Sequence, residues 1–198
     1  MAAPMPALGP RFRDALAYAA EVHADQRRKG NDVPYVAHLL AVASTVIEAG
    51  GSEDQAVAAL LHDTLEDHPD KVNRAGLSAR FGEEVARIVV ACSDTEVEPK
   101  PPWHERKQAY LARLPHEDDA VLLVSLADKL HNATALRRDL EREGPATLHR
   151  FHAGAEDQLW YHRSLAAVFT ERLTEEPVAG LVREYVVTVD RIAALVTP

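Results

Sequence analysis

The residues of this chain best suited to chemistry are a histidine and an aspartate at the end of an apolar run. His62 and Asp63 directly follow residues 56–61, all of them alanine, valine or leucine. Burying a carboxylate at the edge of a core costs on the order of several kcal/mol unless a cation compensates it. A metal ion would be such a cation, and neutral imidazole is a common partner ligand. The pair therefore indicates a metal site, with a solvated helix end as the alternative.

Two further acids follow within one helical turn. On a continuous helix Glu66 would lie four residues after His62, and Asp67 four residues after Asp63, so all four groups would share one side. Acids at the C-terminal end of a helix oppose its dipole, and their concentration at this point therefore needs a reason. General acid–base chemistry beside a metal ion would be one.

Asp128 and His38 are the other polar residues set in apolar surroundings. Asp128 ends an apolar stretch over residues 120–127, and a buried aspartate is rare unless it is paired. A salt bridge with Lys129 or with an arginine elsewhere is the alternative to metal ligation. His38 opens a second apolar segment, where a single histidine is ordinarily a hydrogen-bonded core residue.

Helical periodicity predicts the elements that position these residues. Phe12, Leu16, Ala19 and His23 follow one another at the spacing of a helix face, and no segment has the two-residue period of a strand. We predict an all-α chain forming a single domain, with residues 1–9 flexible and the clearest loop at 94–102. The predicted helices include segments at about 35–48, 52–67, 103–113, 117–142, 147–173 and 177–197.

Composition narrows the class of protein. The net charge is −9 and no basic stripe is present, which argues against binding to extended nucleic acid and leaves a small anionic substrate open. Cys92 is the only cysteine, so no intramolecular disulfide can form, and a reducing compartment is expected. The N-terminus is a poor signal peptide, and no apolar run reaches the roughly 18 residues of a membrane span. We expect a cytoplasmic protein without a membrane segment, and a homodimer remains open.

Five motifs give the chain a family resemblance. The sequence reads QRRK at residues 26–29, PYVAH at 34–38, ALLHDTLED at 59–67, RFG at 80–82 and LADKLHN at 126–132. An early histidine, a His-Asp pair and a distant aspartate resemble the HD superfamily of metal-dependent phosphohydrolases. More narrowly, the motifs resemble the hydrolase domain of RelA/SpoT homologues, and above all the stand-alone small alarmone hydrolases. The resemblance covers residues 12–140, with C-terminal helices expected over about 147–197.

The resemblance implies an enzyme that uses manganese to remove pyrophosphate from the 3′ position of guanosine tetra- or pentaphosphate; another divalent transition metal stays open. The metal ligands it implies are His38, His62, Asp63 and Asp128. The catalytic acids it implies, which position and deprotonate water, are Glu66 and Asp67. The substrate-binding residues it implies are Arg28, Lys29 and Asn132.

The chain departs from the family pattern after Asn132. Relatives often continue with Met-Arg-Thr-Leu, whereas this chain has alanine, Thr134, Ala135 and leucine, so an arginine and a hydroxyl beside the nucleotide are missing. Two alternatives to alarmone hydrolysis therefore stay open. One is an HD phosphohydrolase for another nucleotide, such as an adenosine analogue of the alarmone or a phosphorylated dinucleotide. The other is a non-catalytic module that senses nucleotide or binds a partner protein.

Overall fold

The computed structural model describes residues 7–30, 32–95, 99–150 and 153–196. Within these ranges the regular elements are helices, apart from an isolated bridge between Arg27 and Pro34, which confirms the all-α prediction. No helix in the same ranges combines the length and apolar character needed to cross a membrane. Residues 1–9 were predicted to be flexible; residues 1–6 of that segment lie outside the described residues. The α-helices are α1 (Pro10–Val22), α2 (Val36–Glu48), α3 (Glu53–Leu61), α4 (Thr64–Asp67), α5 (Arg74–Phe81), α6 (Glu83–Cys92), α7 (Trp103–Arg113), α8 (Asp119–Glu143), α9 (Ala155–Arg172) and α10 (Val178–Val196).

Polar side chains cap the N-termini of three of these helices. Ser52 and Gln55 form a capping box at the start of α3: the Ser52 hydroxyl accepts from the Gln55 N–H, and Gln55 Oε1 accepts from the Ser52 N–H. Asn73 caps α5 and Asp118 caps α8 in the same way, each accepting a backbone N–H three residues on. These bonds satisfy N–H groups that have no partner inside the helix. They also fix where α3 and α8, two of the site-bearing helices, begin.

The helix α8 is the shared wall of two hydrophobic clusters. Val121, Val124 and Ala127 pack with α1, α2, α3, α5 and α6 in the first cluster. Leu122 and Leu126, on other faces of the same helix, pack with α7, α9 and α10 in the second. A helix that is apolar on nearly all sides is one buried between neighbours. Asp128 therefore lies on the helix that both clusters share.

The predicted single helix from Ser52 to Asp67 is wrong, because the chain turns at His62 and Asp63 between α3 and α4. Two side chains hydrogen-bond to backbone carbonyl groups at the end of α3. His62 Nδ1 lies 2.9 Å from the Ala59 carbonyl, and the Thr64 hydroxyl donates to the Leu61 carbonyl over 2.7 Å. Local bonds from side chain to backbone compete with helix continuation in this way. The turn carries the His-Asp pair.

The helix predicted over residues 147–173 is also wrong in its first turns. A 3₁₀ segment spans Pro145–Arg150, and α9 begins only at Ala155, after an extended Gly154 with ψ of 178°. The carbonyl of Gly154 then accepts the first helical bond, from the Gln158 N–H. Helix α5 is a further element that the periodicity did not predict.

Replacement of Gly51 should destabilise the turn between α2 and α3. A Cβ at this position would lie 2.6 Å from Val46 Cγ1 and 2.8 Å from the Val46 carbonyl oxygen. We expect Gly51→Ala to lower the free energy of unfolding by about 1–3 kcal/mol, the usual cost of overpacking. Urea unfolding followed by circular dichroism measures it. Gly76→Ala is the matched control, since its Cβ would meet only Asn73 Oδ1 at 3.5 Å. Equal stability of the two variants would contradict the steric argument.

Candidate metal centre and active site

Two helices and one turn bring the four predicted ligands together. His38 lies on α2, His62 and Asp63 at the α3–α4 turn, and Asp128 on α8. Asp63 Oδ2 lies 3.0 Å from His62 Nε2 and 3.6 Å from His38 Nε2. Asp128 Oδ1 lies 3.2 Å from His38 Nε2 and 3.6 Å from His62 Nε2. Each of these two carboxylate oxygens thus lies within 3.6 Å of both imidazole Nε2 nitrogens.

Both imidazoles leave a buried nitrogen without a hydrogen bond. The Nε2 atoms of His38 and His62 are enclosed and have no hydrogen-bond partner among the described residues, although carboxylate oxygens are close. Buried polar atoms are ordinarily satisfied, so such an orphan needs an explanation. One ligand atom each from His38, His62 and Asp128 lies within 4.8 Å of the others, a spacing that could hold a metal ion. The donor set of nitrogen and carboxylate oxygen fits a divalent transition metal.

Hydrogen bonds on the far side of each ring favour this use of Nε2. His62 Nδ1 faces the Ala59 carbonyl, which can only accept, so the ring hydrogen sits on Nδ1 and the Nε2 lone pair faces the site. His38 Nδ1 lies 2.7 Å from His131 Nδ1. Burial, with the charges of His38 and Arg28, lowers the pKa of His131 to about 4, so His131 is neutral and able to accept from His38. Ligating histidines are oriented by such outer bonds.

The two oxygens of Asp128 face different partners. Lys129 donates to Oδ2 over 2.7 Å, and Asn132 Nδ2 donates to Oδ1 over 2.5 Å. The salt bridge considered as an alternative to metal ligation therefore exists, but on the oxygen turned away from the histidines. Asn132 Oδ1 accepts in turn from Arg28 over 2.8 Å. Two of the predicted substrate-binding residues are thus bonded to each other and linked to a predicted ligand.

Charge around the centre favours the ionised carboxylates. Burial raises the pKa of Asp63, but the neighbouring His62 and His38 together outweigh it and hold that pKa well below its usual value. Burial likewise opposes ionisation of Asp128, but the Lys129 ammonium together with His38 and His62 outweighs it and holds the pKa well below its usual value. The same carboxylates overcome burial and raise the pKa of His62. The two aspartates thus attract positive charge to the space between them. An imidazole that ligates a metal ion there must first lose its proton, because only the neutral ring can be a ligand.

The predicted catalytic acids differ in their contacts. Glu66 Oε2 accepts from the Asp94 N–H over 3.2 Å, and Glu66 Oε1 lies 3.4 Å from the Lys100 ammonium. Asp67 Oδ2 accepts from Gln26 over 2.7 Å. Burial raises the pKa of both acids, helped by the charges of Asp94 and Asp63 at Glu66 and of Asp63 at Asp67. Groups with raised pKa values in a cleft are candidates for acid–base work.

A cavity of about 390 Å³ opens over these residues. Its size falls within the roughly 300–1,000 Å³ typical of small-molecule sites. All three predicted substrate-binding residues line it, together with both acids, Asp63 and Asp128. Its more distant wall is formed by α7 and α9, through Trp103, Lys107, Gln158 and Tyr161. The structure therefore places every predicted site residue at this cavity or, for the two histidines, in the centre beneath it.

Several contacting residues were not identified from the sequence. Tyr35 donates its hydroxyl to Asp63 Oδ2 over 2.5 Å, and the aromatic ring lies 5.6 Å beneath the Arg28 guanidinium. His131 orients His38. Tyr35 and His131 each belong to a motif quoted above, and this position was the signal that could have identified them. The buried Asp94, which Lys107 and Arg106 contact, lies in the loop before α7. No periodic pattern in the sequence indicated that this residue would be buried near the site.

Comparison with known proteins relates this arrangement to one family. A family model described as an HD domain matches residues 15–154. Guanosine-3′,5′-bis(diphosphate) 3′-pyrophosphohydrolase MESH1 of Xenopus tropicalis is 41% identical over 128 residues, covering 63% of this chain and 69% of the relative.

Solved structures match over more of the chain. One, described as a metazoan SpoT orthologue that hydrolyses ppGpp and plays a role in starvation responses, has a TM-score of 0.71 at 26% identity. The match covers 93% of this chain and 96% of that one. A second, from Listeria monocytogenes EGD-e, has a TM-score of 0.69 at 29% identity and covers 78% of this chain and 97% of its own.

Proposed function

The chain belongs to the HD domain family, and we propose that it is a manganese-dependent hydrolase of guanosine 3′,5′-bis(diphosphate) and related alarmones. The reaction would release the 3′-pyrophosphate. The observation that carries the proposal is the pair of orphaned Nε2 atoms facing two carboxylates below a polar cavity. Similarity to a relative that is named for this reaction supports the substrate. We propose further that residues 1–198 form one such domain, since α8 contributes to both hydrophobic clusters. A cytoplasmic location and a homodimer stay predictions.

His38, His62, Asp63 and Asp128 would hold the metal ion. Mixed nitrogen and oxygen ligation suits manganese, with other divalent transition metals as competitors. When bound, such an ion lowers the pKa of water and polarises a phosphoryl oxygen. Tyr35 and Lys129 each hold the carboxylate of one ligand by a hydrogen bond. Their role is to fix the carboxylates of Asp63 and Asp128 in the rotamers that face the histidines.

We assign the two acids different parts in the reaction. Asp67 accepts from Gln26 on Oδ2, and no described residue donates to Oδ1, which is the atom that takes the proton from the attacking water. Both oxygens of Glu66 have partners, Oε2 the Asp94 N–H and Oε1 the Lys100 ammonium. Glu66 therefore orients the water as an acceptor whose own position is fixed.

Arg28, Lys29 and Asn132 would bind the rest of the nucleotide. Arg28 uses one guanidinium nitrogen on Asn132, and other N–H groups of the five remain for phosphate or base. Thr134 and Ala135 replace the arginine and hydroxyl of many relatives, and Ala135 lines the cavity. This loss of polar contacts favours looser discrimination between guanine and adenine. An adenosine alarmone is therefore the second candidate substrate.

A nucleotide panel tests the proposal. Manganese-loaded protein is incubated with guanosine and adenosine 3′,5′-bis(diphosphate) and with plain 2′-, 3′- and 5′-phosphates, and pyrophosphate is scored against phosphate. We expect pyrophosphate from the bis(diphosphates) alone. Rapid hydrolysis of a plain phosphate without pyrophosphate release would assign the protein to another HD phosphohydrolase activity. Binding without turnover of any compound would favour the sensing module.

Replacement of Arg28 should weaken substrate binding more than it slows turnover. A hydrogen bond to a charged group contributes about 1.5–3 kcal/mol, so Arg28→Ala should raise KM roughly ten- to hundredfold. The change should fall on KM if the contact is equally strong in ground and transition states. Steady-state kinetics at fixed manganese measure it. Arg13→Ala, on an exposed arginine of α1, is the control and should keep the wild-type KM. A fall in kcat alone would contradict a binding role.

A further inference from the structure

Gln26 connects a predicted catalytic acid to two histidines that have no assigned role. Its Nε2 donates to Asp67 Oδ2 over 2.7 Å. Its Oε1 lies 2.5 Å from His23 Nδ1 and 3.0 Å from His68 Nε2. The backbone of Gln26 is held as well, since its carbonyl accepts from the Tyr35 N–H over 3.0 Å. The side chain and the main chain of this residue are therefore both fixed at the rim of the cavity.

The partners of the carboxamide permit only one orientation. An amide oxygen only accepts, so the two ring nitrogens that face Oε1 must carry hydrogens. The reversed amide would place Oε1 2.7 Å from the ionised Asp67, two acceptors with no hydrogen between them. Orientation of an amide is assigned from its network, and here both ends of the network agree. His23, His68 and Asp67 together direct the amide nitrogen at the carboxylate.

The surroundings of His23 support the required tautomer. The side chain is buried, stacks on Tyr35 at 5.2 Å between ring centroids, and has no hydrogen-bond partner at Nε2 in the part of the chain that the structure describes. A hydrogen at Nε2 would thus be a buried donor without an acceptor, which is costly. A neutral ring with its hydrogen on Nδ1 avoids this. Burial also lowers the pKa of His23, against the opposing effect of the Gln26 hydrogen bond.

We propose that Gln26 is a positioning residue for Asp67, held in its working orientation by His23 and His68. The inference rests on the proposed function, because it acts on the reaction through the acid assigned there. By occupying Asp67 Oδ2, the amide leaves Oδ1 as the oxygen that meets water. Without the amide the carboxylate can rotate, and a misplaced catalytic group loses rate even when substrate still binds.

Kinetics of Gln26→Leu test the positioning role. We expect kcat to fall roughly ten- to hundredfold, as for a misplacement near 1 Å, with KM changed less than about twofold. Manganese content should match the wild type, because Gln26 contacts none of the four proposed ligands through its side chain. Gln108→Leu, on an exposed glutamine of α7, is the control for the type of substitution. Wild-type kcat in Gln26→Leu, or loss of manganese, would overturn the inference.

A pair of substitutions at His68 separates positioning from packing. Glutamine can place an N–H near the position of His68 Nε2, whereas leucine cannot. We expect His68→Gln to keep kcat near the wild type and His68→Leu to lower it in the direction of Gln26→Leu. Adding His68→Leu to Gln26→Leu should then change little, since both remove one interaction chain. Equal kcat in His68→Gln and His68→Leu would contradict the role of the donor.

Nuclear magnetic resonance supplies a readout that is independent of activity. Two-bond ¹H–¹⁵N correlations should show His23 as the Nδ1–H tautomer and a hydrogen on Nε2 of His68. The side-chain amide signal of Gln26 should move in Asp67→Asn, which removes the charge it faces. Opposite tautomers or an unmoved signal would refute the chain of bonds. If the wild type releases no 3′-pyrophosphate, the proposed function fails, while these spectra still decide whether Gln26 positions Asp67.

Discussion

His62→Ala and Asp128→Ala proteins are expected to be isolated nearly free of transition metal and without hydrolase activity. Each substitution removes one of three side chains, those of His38, His62 and Asp128, whose ligand atoms lie within 4.8 Å of one another, and truncation to alanine leaves nothing to replace it. The wild type, purified without chelator, should contain about one ion per chain, because the ligands form one centre. Elemental analysis and pyrophosphate release measure the two effects. Full metal occupancy in both variants would show that the ligands are assigned wrongly.

The metal experiment needs a control for histidine loss and for folding. His116→Ala removes an exposed histidine from the 3₁₀ segment Leu114–His116 and should keep both metal and activity. Circular dichroism should show unchanged helix content in every variant. Removing a ligand also leaves the remaining carboxylate less well compensated, so a lower melting temperature is expected for His62→Ala than for His116→Ala.

The second large effect is expected at the two acids. Glu66→Gln and Asp67→Asn keep the size of the side chain and remove its charge, so both proteins should retain the metal. Each should lose roughly two to four orders of magnitude in kcat, the scale of acid–base assistance. Asp67→Asn removes the proton acceptor, and Glu66→Gln the anion that orients water. Elemental analysis beside single-turnover kinetics separates metal loss from loss of chemistry.

A result that differs between Glu66→Gln and Asp67→Asn would show which acid has the proposed role. Wild-type turnover in Glu66→Gln or Asp67→Asn would remove that residue from the catalytic pair. Glu143→Gln, on an exposed acid at the end of α8 that does not line the cavity, is a charge-matched control and should leave kcat unchanged. Loss of metal in either acid variant would instead reassign that acid as a ligand.

The polar residues in apolar segments were the strongest signals in the sequence. His62, Asp63 and Asp128 interrupt runs that the structure buries, and the cost of burying a charge is a property of the residue itself. Such a cost can be recognised without knowing the neighbours. The helices α2, α7 and α10 were predicted for a similar reason. The helical spacing of apolar residues and the residues that begin or end a helix are local properties of the sequence.

The remaining features depend on neighbours that only the fold provides. Tyr35 and Asp63 are 28 residues apart, and the bond between His38 and His131 spans 93. No local pattern encodes such pairs. The turn at His62 was missed because side-chain bonds to the carbonyls of Ala59 and Leu61 end the helix there, against the periodicity. Gln26 was read only as part of a motif, since its role depends on Asp67 and His68, which lie 41 and 42 residues further along the chain.

The separation of the ligands along the chain has a consequence for synthesis. Asp128 follows His38 by 90 residues, and it lies in the helix that both hydrophobic clusters share. A growing chain can therefore form α2 and α3 long before it can complete the centre. Closing so long a loop is slow relative to making local helices. The ion would then be captured late, and its uptake would report that the two halves of the protein have docked.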